Sequence, residues 1–575
     1  MKKLIFSAIS SVLLLFSGCQ NLDLNPLSEG STGNWFSTEA EFEMALNELY
    51  CNYTDSNTEN NYWHWETWRF SNTDRFTDDW SQREYVYDWN NDLWTADFPQ
   101  VESCWTRKYA GVTRANTILS NIAKARSAGG IPDDVLLRYE SEASFFRACF
   151  YSYLIFLWGD VPFYTEYLSL DNAFRTGRTD KNIILEEIYR DFDRAAEYLP
   201  VSYSGLQRVT KGAAYAFKAR IATWMLDWAT AADAAGECIR LNVYSLHPNF
   251  GELFLDKTRT SPELIFSLPR SKALMGNQDA ASSRLPRIVG GGANAQPSWE
   301  LLCAFTCTDG LPIDKSPLYD RKNPFKNRDP RLKATMVEIG SEFLGYVYDP
   351  GVRQVRRVSD GVMVSNTNSR LVQQYAAYNG MSLKKGVDED WLVARETEAS
   401  YKLMRYADVL LMYAEAKMEL NEIDASVLEA VNRVRARGYG VNYGQTTLYP
   451  AVTETNQSRL RTIIRMERRV ELAWENRRWF DLIRWRLAET AILRPVYCHD
   501  QTNALQAVID SDDYFFPKNV LPIIDENGLV DLSPLFATGK IIKIVERKFS
   551  PRQYLLPIPA KDRLINLNMT QNDGY

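Results

Sequence analysis

Histidine and long apolar runs are scarce in this sequence of 575 residues. Three histidines argue against a metal site built from several of them. Beyond the N-terminal leader, no run approaches the roughly 18 uncharged apolar residues that a membrane-spanning helix needs. Basic residues are in the minority, since 66 Lys and Arg stand against 73 Asp and Glu and give a formal charge of −7. This balance argues against nucleic acid as the main partner.

Local signatures of catalysis are also missing. The sequence has no G-x-S-x-G elbow, no H-E-x-x-H pair and no phosphate-binding P-loop. The triple glycine 290–292 lacks the Lys-Ser/Thr and the strand–helix context of a nucleotide loop. Aspartate and glutamate are plentiful, so their number leaves open a carboxylate pair of the kind that glycoside hydrolases use. We predict a protein that is not an enzyme and that needs no cofactor; whether Ca²⁺ stabilises a loop stays open.

The N-terminus has the order of an export signal. Two lysines precede an apolar stretch, Leu4 to Phe16, which is too short to span a bilayer. Ser17-Gly18 then places small residues directly before Cys19. This order resembles a bacterial lipoprotein signal, in which the chain is cut before a cysteine that becomes lipidated; an ordinary secretory signal is the alternative. We therefore predict a signal peptide over 1–18 and a lipidated tether over 19–32.

Helical periodicity recurs along the chain. Residues 181–199 place their large apolar side chains on one stripe, as in an amphipathic helix. Two Ala-rich pairs, 210–228 with 230–241 and 401–420 with 424–437, follow the same pattern. Paired helices with small residues at their contacts indicate tetratricopeptide-like stacking, and a generic helical bundle is the alternative.

Long stretches rich in Gly, Pro, Asn, Ser and Asp separate these helical blocks, and loops of such length are usually functional. We predict a mostly α fold in which tetratricopeptide-like helix pairs form a scaffold and a loop-rich irregular subdomain packs against it. The predicted parts of this single unit, 33–575, are a helical scaffold mainly over 101–244 and 401–500, loop-rich ligand-side insertions over about 52–100 and 245–400, and a C-terminal segment over 501–575.

Residues 461–487 combine high charge with an aromatic and aliphatic content that surface helices rarely have. Their two apolar stripes are rotated from each other, so this helix is either buried on two sides or broken near Asn476. Charges at helical spacing indicate a structural ion-pair network in the core, and catalysis by paired carboxylates and arginines is the alternative. The expected pairs are Glu475 with Arg478, and Asp481 with Arg484 and Arg477.

The segment from Glu467 to Trp485, ERR-x-EL-x-x-E-x-x-RW-x-DLIRW, resembles the signature helix of SusD/RagB-type outer-membrane nutrient-binding lipoproteins. Other motifs similar to that family occur in its order along nearly the whole chain. Central residues 245–400 match least, and Asp573 stands where the family commonly has proline. The further motifs are Leu22-Asp23 to Pro26, Arg147 with Trp158-Gly159-Asp160-Val161-Pro162, Arg208 to Ala213, Arg405 to Ala416, Val431 to Arg437, and Leu556-Pro557-Ile558-Pro559 through Asn566 to Gln571-Asn572-Asp573-Gly574-Tyr575.

The resemblance implies a SusD-like α–α superhelix and a function in nutrient capture. Such a protein is a non-catalytic, lipid-anchored, cell-surface glycan-binding lipoprotein of the outer membrane. It binds oligosaccharides and delivers them to a SusC-like TonB-dependent transporter, with its helical face on the barrel and its loop face on the ligand. The same fold and role with peptides as ligands is the first alternative; a glycoside hydrolase and a protein-only scaffold are weaker ones.

An early segment, Tyr62 to Trp94, holds six of the 16 tryptophans among many Asp, Asn and Arg residues. Sugars present apolar C–H faces, on which aromatic rings pack, and hydroxyl rims, which polar side chains bind. Some of these rings belong to the core, and we expect two or three to be exposed, with central loops 270–299 and 340–400 contributing as well. The candidate ligand-binding residues are Trp63, Trp65, Asp74, Arg75, Trp80, Arg83, Trp89, Asn91 and Trp94 in the early segment, and Trp299, Tyr346, Arg370, Tyr375 and Trp391 in the central loops.

Overall fold

A computed structural model of the chain describes residues 35–51, 62–63, 73–81, 90–166, 168, 170–204, 207–271, 282–394, 397–499 and 520–575. The predicted signal peptide and tether, including Cys19, lie outside the described residues. So do three of the candidate ligand-binding residues, Trp65, Arg83 and Trp89.

Helices dominate the described residues, which confirms the mostly α fold class. Local sequence explains several helix ends: Thr38 forms a capping box with Glu41, and the side chains of Thr210 and Asp424 cap the helices that follow them. The helices are α1 Glu39–Leu49, α2 Pro99–Ala128, α3 Asp133–Trp158, α4 Leu170–Ala173, α5 Lys181–Tyr198, α6 Lys211–Trp224, α7 Trp228–Arg240, α8 Trp299–Ala304, α9 Arg331–Thr335, α10 Trp391–Ala394, α11 Tyr406–Glu419, α12 Ala425–Gly438, α13 Gln457–Glu471, α14 Arg478–Arg484, α15 Ala488–Leu493, α16 Ser533–Phe536 and α17 Ala560–Ile565.

The long helices stack in sequence order to form the scaffold. Helix α2 packs on α3, α3 on α5, α5 on α6 and α6 on α7, and then α7 packs on α11, which contacts α12 and α13. Small residues allow the close approach that such stacking needs. A Cβ atom added to Gly111 of α2 would lie 2.6 Å from the ring of Phe150 in α3. This order of contacts agrees with the predicted tetratricopeptide-like arrangement.

The charged helix predicted over 461–487 is broken near Asn476, which is one of the two outcomes that its apolar stripes predicted. Helix α13 ends at Glu471 and α14 begins at Arg478. Between them, Trp474 and Asn476 have positive φ angles of 62° and 59°. A left-handed conformation is uncommon for residues other than glycine, and here it turns the chain so that the two apolar stripes reach different parts of the core.

Short strands hold the loop-rich parts together as two-stranded antiparallel sheets in the described residues. The pairs are β1 with β3, β2 with β8, β4 with β5, β6 with β7, β9 with β12, and β10 with β11. Their bounds are β1 Trp80–Ser81, β2 Leu264–Leu268, β3 Gln296–Pro297, β4 Glu342–Phe343, β5 Tyr346–Val347, β6 Gln354–Arg356, β7 Met363–Ser365, β8 Tyr401–Arg405, β9 Val496–His499, β10 Ile523–Ile524, β11 Val530–Asp531 and β12 Ile541–Val545.

The described residues form two large cores. The first lies inside the helical scaffold, where nearly every side chain in the C-terminal two thirds of α3 is buried. The second joins Trp80, Trp299 and Trp474 with apolar residues of the central insertion and of the C-terminal segment. Across the part of the chain described here, no helix is both long enough and apolar enough to cross a membrane.

Candidate ligand-binding site

The early segment meets the central loops, as the sequence led us to expect. Trp80 of β1 pairs with Pro297 of β3. Next to this pair, the Ser298 hydroxyl donates a hydrogen bond to the backbone carbonyl of Asp78 at 2.6 Å. The two regions of candidate ligand-binding residues are therefore neighbours in space, although more than 200 residues separate them in the chain.

The described tryptophans of the early segment nevertheless belong to the core, which corrects their assignment as ligand platforms. Trp63 is fully buried, and its indole N–H donates to the carbonyl of Leu49 at 3.0 Å. Trp80 stacks on Trp474 with 4.6 Å between ring centroids. Trp94 is also buried, between two phenylalanine rings. A buried indole fills volume and offers no ring face to a sugar.

The same correction applies to both candidate tryptophans of the central loops. The indole N–H of Trp299 donates to the carbonyl of Asn379 at 2.8 Å, and the side chain is 2% exposed. Trp391 packs in a small apolar cluster with Leu285 and Val387. In both residues, the apolar surface of the indole packs against the protein interior and is not accessible to a ligand.

Asp74 is a buried acid rather than a rim residue. Its Oδ2 accepts a hydrogen bond from the backbone N–H of Asn476 at 3.1 Å, so it stabilises the break between α13 and α14. Burial raises the pKa of Asp74 to about 7. Two other candidates are half-buried: the Arg75 guanidinium lies 5.6 Å from the ring centroid of Trp80, and the backbone of Asn91 bridges to Lys548.

Three central-loop candidates remain accessible. Tyr375 is 49% exposed, and Arg287 supports it because its Nε donates to the Tyr375 carbonyl at 3.1 Å and its guanidinium lies 5.8 Å from the ring centroid. Arg370 is half-buried, with its guanidinium 3.6 Å from the ring centroid of Tyr378. Tyr346 is half-buried in β5. These residues, unlike the candidate tryptophans that the structure describes, are accessible to a ligand.

A charged cavity of about 80 Å³ lies where the central loops and strand β8 meet the α13–α14 break. Its lining includes Arg284, Lys385, Lys402 and Glu475. Burial lowers the pKa of both Lys385 and Lys402 to about 8. Sequence reasoning missed these three cations, because they lie in segments without a motif and only the fold brings them together.

Two larger clefts border the charged cavity. We call the part of the protein that holds these three cavities the loop side. One, of about 600 Å³, includes Tyr203 and Arg270 and shares Ser400 with the charged cavity. The other, of about 1,230 Å³, is lined by β4 and by residues from the ranges 249–257 and 384–392. Clefts of this size accommodate ligands larger than a single sugar. The only sequence signal for them is the length of the insertions.

The predicted ion-pair network is confirmed, although its pairs differ from the expected ones. Asp481 and Arg484 do pair, at 2.8 Å. The expected pairs of Glu475 with Arg478 and of Asp481 with Arg477 are wrong. Glu475 lies in the break before α14, whereas Arg477 caps α14 and directs its guanidinium to another partner. The observed partners are Lys385 and Arg405 for Glu475, Asp78 for Arg478, and the carbonyl oxygen of Leu403 for Arg477.

Glu471 is the centre of this network. Its carboxylate pairs with Arg331 at 2.9 Å, with Arg405 at 2.6 Å and with Arg437. Burial raises the pKa of Glu471, but attraction to the three guanidinium groups outweighs this effect and holds the pKa well below its usual range. A carboxylate that stays ionised among arginines is suited to structure and not to proton transfer. Among the described residues, no group of three or more His, Cys, Asp and Glu side chains is placed to hold a metal ion.

Comparison with known families identifies the class of protein. The model of the SusD family matches residues 262–575. A second family model, described as starch-binding associating with outer membrane, matches residues 22–222. The chain belongs to the SusD family, which confirms the resemblance seen in its sequence motifs.

Relatives cover the chain nearly from end to end. SusD-like protein P2 of Formosa agariphila is 27% identical over an alignment 583 residues long, which covers 98% of this chain and 98% of that protein. The crystal structure of a SusD-like carbohydrate binding protein from Bacteroides fragilis is 25% identical, has a TM-score of 0.74, and is matched over 93% of this chain and 99% of that one. A laminarin binding SusD-like protein shares the fold at 19% identity, with a TM-score of 0.59 over 94% of this chain and all of that one.

Proposed function

We propose that this protein is a non-catalytic, lipid-anchored glycan-binding protein of the outer membrane. It captures oligosaccharides at the cell surface on its loop side and delivers them to a SusC-like TonB-dependent transporter. Membership of the SusD family and similarity to a carbohydrate-binding relative support the ligand class. The lipoprotein signal before Cys19 supports the anchor, and the family model that mentions the outer membrane supports the compartment.

The exposed ring of Tyr375 beside Arg287 is the observation that carries the placement of the ligand. An aromatic face and a guanidinium group are the two chemistries that a sugar needs, one for its C–H face and one for its hydroxyls. Arg287 follows Arg284, which lines the charged cavity, by only three residues. The contact of Arg287 with Tyr375 supports a ligand contact on the loop side, and Tyr346 and Arg370 belong to the same central insertion.

The Tyr375→Ala variant is expected to bind glycan roughly two- to twelvefold more weakly, because an aromatic contact of this kind contributes about 0.5–1.5 kcal/mol. Affinity gel electrophoresis and calorimetry against neutral and acidic polysaccharides measure the effect. Tyr443→Ala is the matched control, since Tyr443 is 48% exposed and Tyr375 is 49% exposed. Equal affinities of the two variants contradict this placement.

The same samples separate the alternative functions. A panel of peptides tests the peptide-binding alternative, and peptide binding without glycan binding overturns the proposed ligand class. Recovery of the glycan at its original length after long incubation is expected for a protein without catalytic activity. Shortened products support the glycoside hydrolase alternative instead.

Cys19→Ala is expected to move the exported protein from the membrane fraction to the soluble fraction, because the acyl chains are the proposed anchor. Fractionation and immunoblotting measure this change, and Cys51→Ala serves as the control that keeps the anchor. Detergent extracts of the wild-type membranes should also contain the protein in complex with a TonB-dependent transporter. Membrane attachment that persists in Cys19→Ala refutes the lipid anchor, and extracts without a transporter refute the partner.

A further inference from the structure

A cleft of about 330 Å³ lies away from the loop-side cavities, between α2, residues 162–176 and the C-terminal helix α17. None of its lining residues in the described chain also lines one of the three loop-side cavities. We call it the α2 cleft. Its volume is at the lower end of small-molecule sites, so it suits a short saccharide better than a long chain.

One wall of the α2 cleft is aromatic and held in place. The rings of Tyr109 and Tyr164 stack with 6.0 Å between centroids and 16° between planes, and Trp105 lies 4.8 Å from Tyr109. The Tyr109 hydroxyl donates to the carbonyl of Pro162 at 2.8 Å, and the Asn116 amide donates to the carbonyl of Tyr164 at 3.1 Å. These bonds fix the rings before any ligand arrives, which lowers the entropic cost of binding.

The opposite wall comes from α17 and the residues after it. The Asn566 amide donates to the carbonyls of Ala173 at 3.2 Å and Thr176 at 2.8 Å, so it ties this wall to the 162–176 segment. Burial raises the pKa of the Asp562 carboxyl, although a hydrogen bond from Trp105 opposes that change. Both walls are therefore fixed to each other by the protein, and the cleft exists without a ligand.

The polar groups of the α2 cleft select against anions. Asp562 and Glu166 line it, whereas the described lining contains no lysine or arginine. The nearby Lys561 pairs with Glu102, at 3.2 Å. Carboxylates accept hydrogen bonds from sugar hydroxyls, but they repel carboxylate, sulfate and phosphate groups.

Phe174 completes the site at its mouth. The side chain is 45% exposed and lines the cleft, so its ring is accessible to a ligand. We propose that the α2 cleft is a second binding site, for one or two residues of a neutral saccharide, with the rings of Tyr109, Tyr164 and Phe174 against the C–H face and the carboxylates on the hydroxyls. The class of ligand rests on the proposed function, but the residues of the site are independent of those on the loop side.

Calorimetry of the mature chain carrying Cys19→Ala, titrated with neutral hexasaccharides of β-1,3-, β-1,4- and α-1,4-linked glucose, tests this inference. Two binding sites per chain are expected. Phe174→Ala and Asp562→Asn should each weaken the second site at least fivefold and leave the first unchanged, whereas Tyr375→Ala should do the reverse. Phe536→Ala is the matched control, because Phe536 is 40% exposed and lies outside the cleft.

Hydrogen–deuterium exchange locates the second site in the same samples. Saturating saccharide should protect residues 162–176 in Tyr375→Ala, in which the first site is weakened. Saccharide binding to one site that Phe174→Ala leaves unchanged overturns the second site while the proposed function stands. Failure of every saccharide to bind overturns both, and protection of 162–176 by a peptide alone overturns the ligand class of the cleft.

Discussion

Glu471→Ala is expected to lower the free energy of unfolding by about 3–5 kcal/mol, because it removes the shared partner of a buried ion-pair network. Glu471 is fully buried, and the three arginines that it binds, Arg331, Arg405 and Arg437, are at most 6% exposed. Without its carboxylate, three guanidinium groups face one another where water cannot screen them. Each arginine keeps another buried acid, Asp329 and Glu467 for Arg331 and Glu263 for Arg405 and Arg437. The network nevertheless loses one buried negative charge that all three arginines share.

Urea denaturation followed by circular dichroism measures this loss. Glu419→Ala is the control. Glu419, at the end of α11, pairs at 2.7 Å with Arg461, which lies on α13 as Glu471 does. Both side chains of this pair are partly exposed. Such a pair contributes about 1 kcal/mol or less. Equal losses in the two variants would show that burial does not decide the strength of this network.

The same comparison has an expected pH dependence. The pKa of Glu471 is lowered in the folded protein, so its ion pairs stabilise the fold above the unfolded pKa of about 4.3 and lose that effect as the pH falls. The difference between wild type and Glu471→Ala should therefore be largest near pH 7 and shrink as the pH falls below about 4.

Features that depend on neighbouring residues could be predicted from the sequence. The stripe over 181–199 became α5, Lys181–Tyr198, because a periodic apolar face and an Asp180 cap are enough to define a helix. The pair of Asp481 with Arg484 is local to one helical turn, and it forms as expected. The break near Asn476 was one of the two outcomes that the rotated apolar stripes predicted, and a helix buried on two sides was the other.

Features that depend on distant residues could not be predicted. Arg478 forms an ion pair with Asp78, and Trp474 stacks on Trp80, although about 400 residues of chain separate the partners. Composition identified an aromatic segment, but only the fold decides which rings are buried. The α2 cleft could not be predicted for the same reason, because its walls come from three segments that are distant in the chain. Pro162 and Asn566 line it and belong to family motifs, but a structural role explains those motifs equally well.

Trp80→Ala and Trp474→Ala are each expected to lower the free energy of unfolding by about 3–5 kcal/mol, the usual range for removing a buried tryptophan. The two rings are 6% and 5% exposed and stack with 19° between their planes. Their contact disappears with either substitution, so the double variant should lose about 0.5–1.5 kcal/mol less than the sum of the single losses.

Trp63→Ala supplies the control for this cycle, because Trp63 lies in the scaffold core whereas Trp80 and Trp474 share the other core. The losses of Trp63→Ala and Trp80→Ala should add within about 0.5 kcal/mol. Glycan affinity, measured at a temperature at which each variant is folded, should stay within about twofold of the wild type, since a buried ring does not contact the ligand. A tenfold loss of glycan affinity in Trp80→Ala at unchanged stability would show that Trp80 belongs to the ligand site and not to the core.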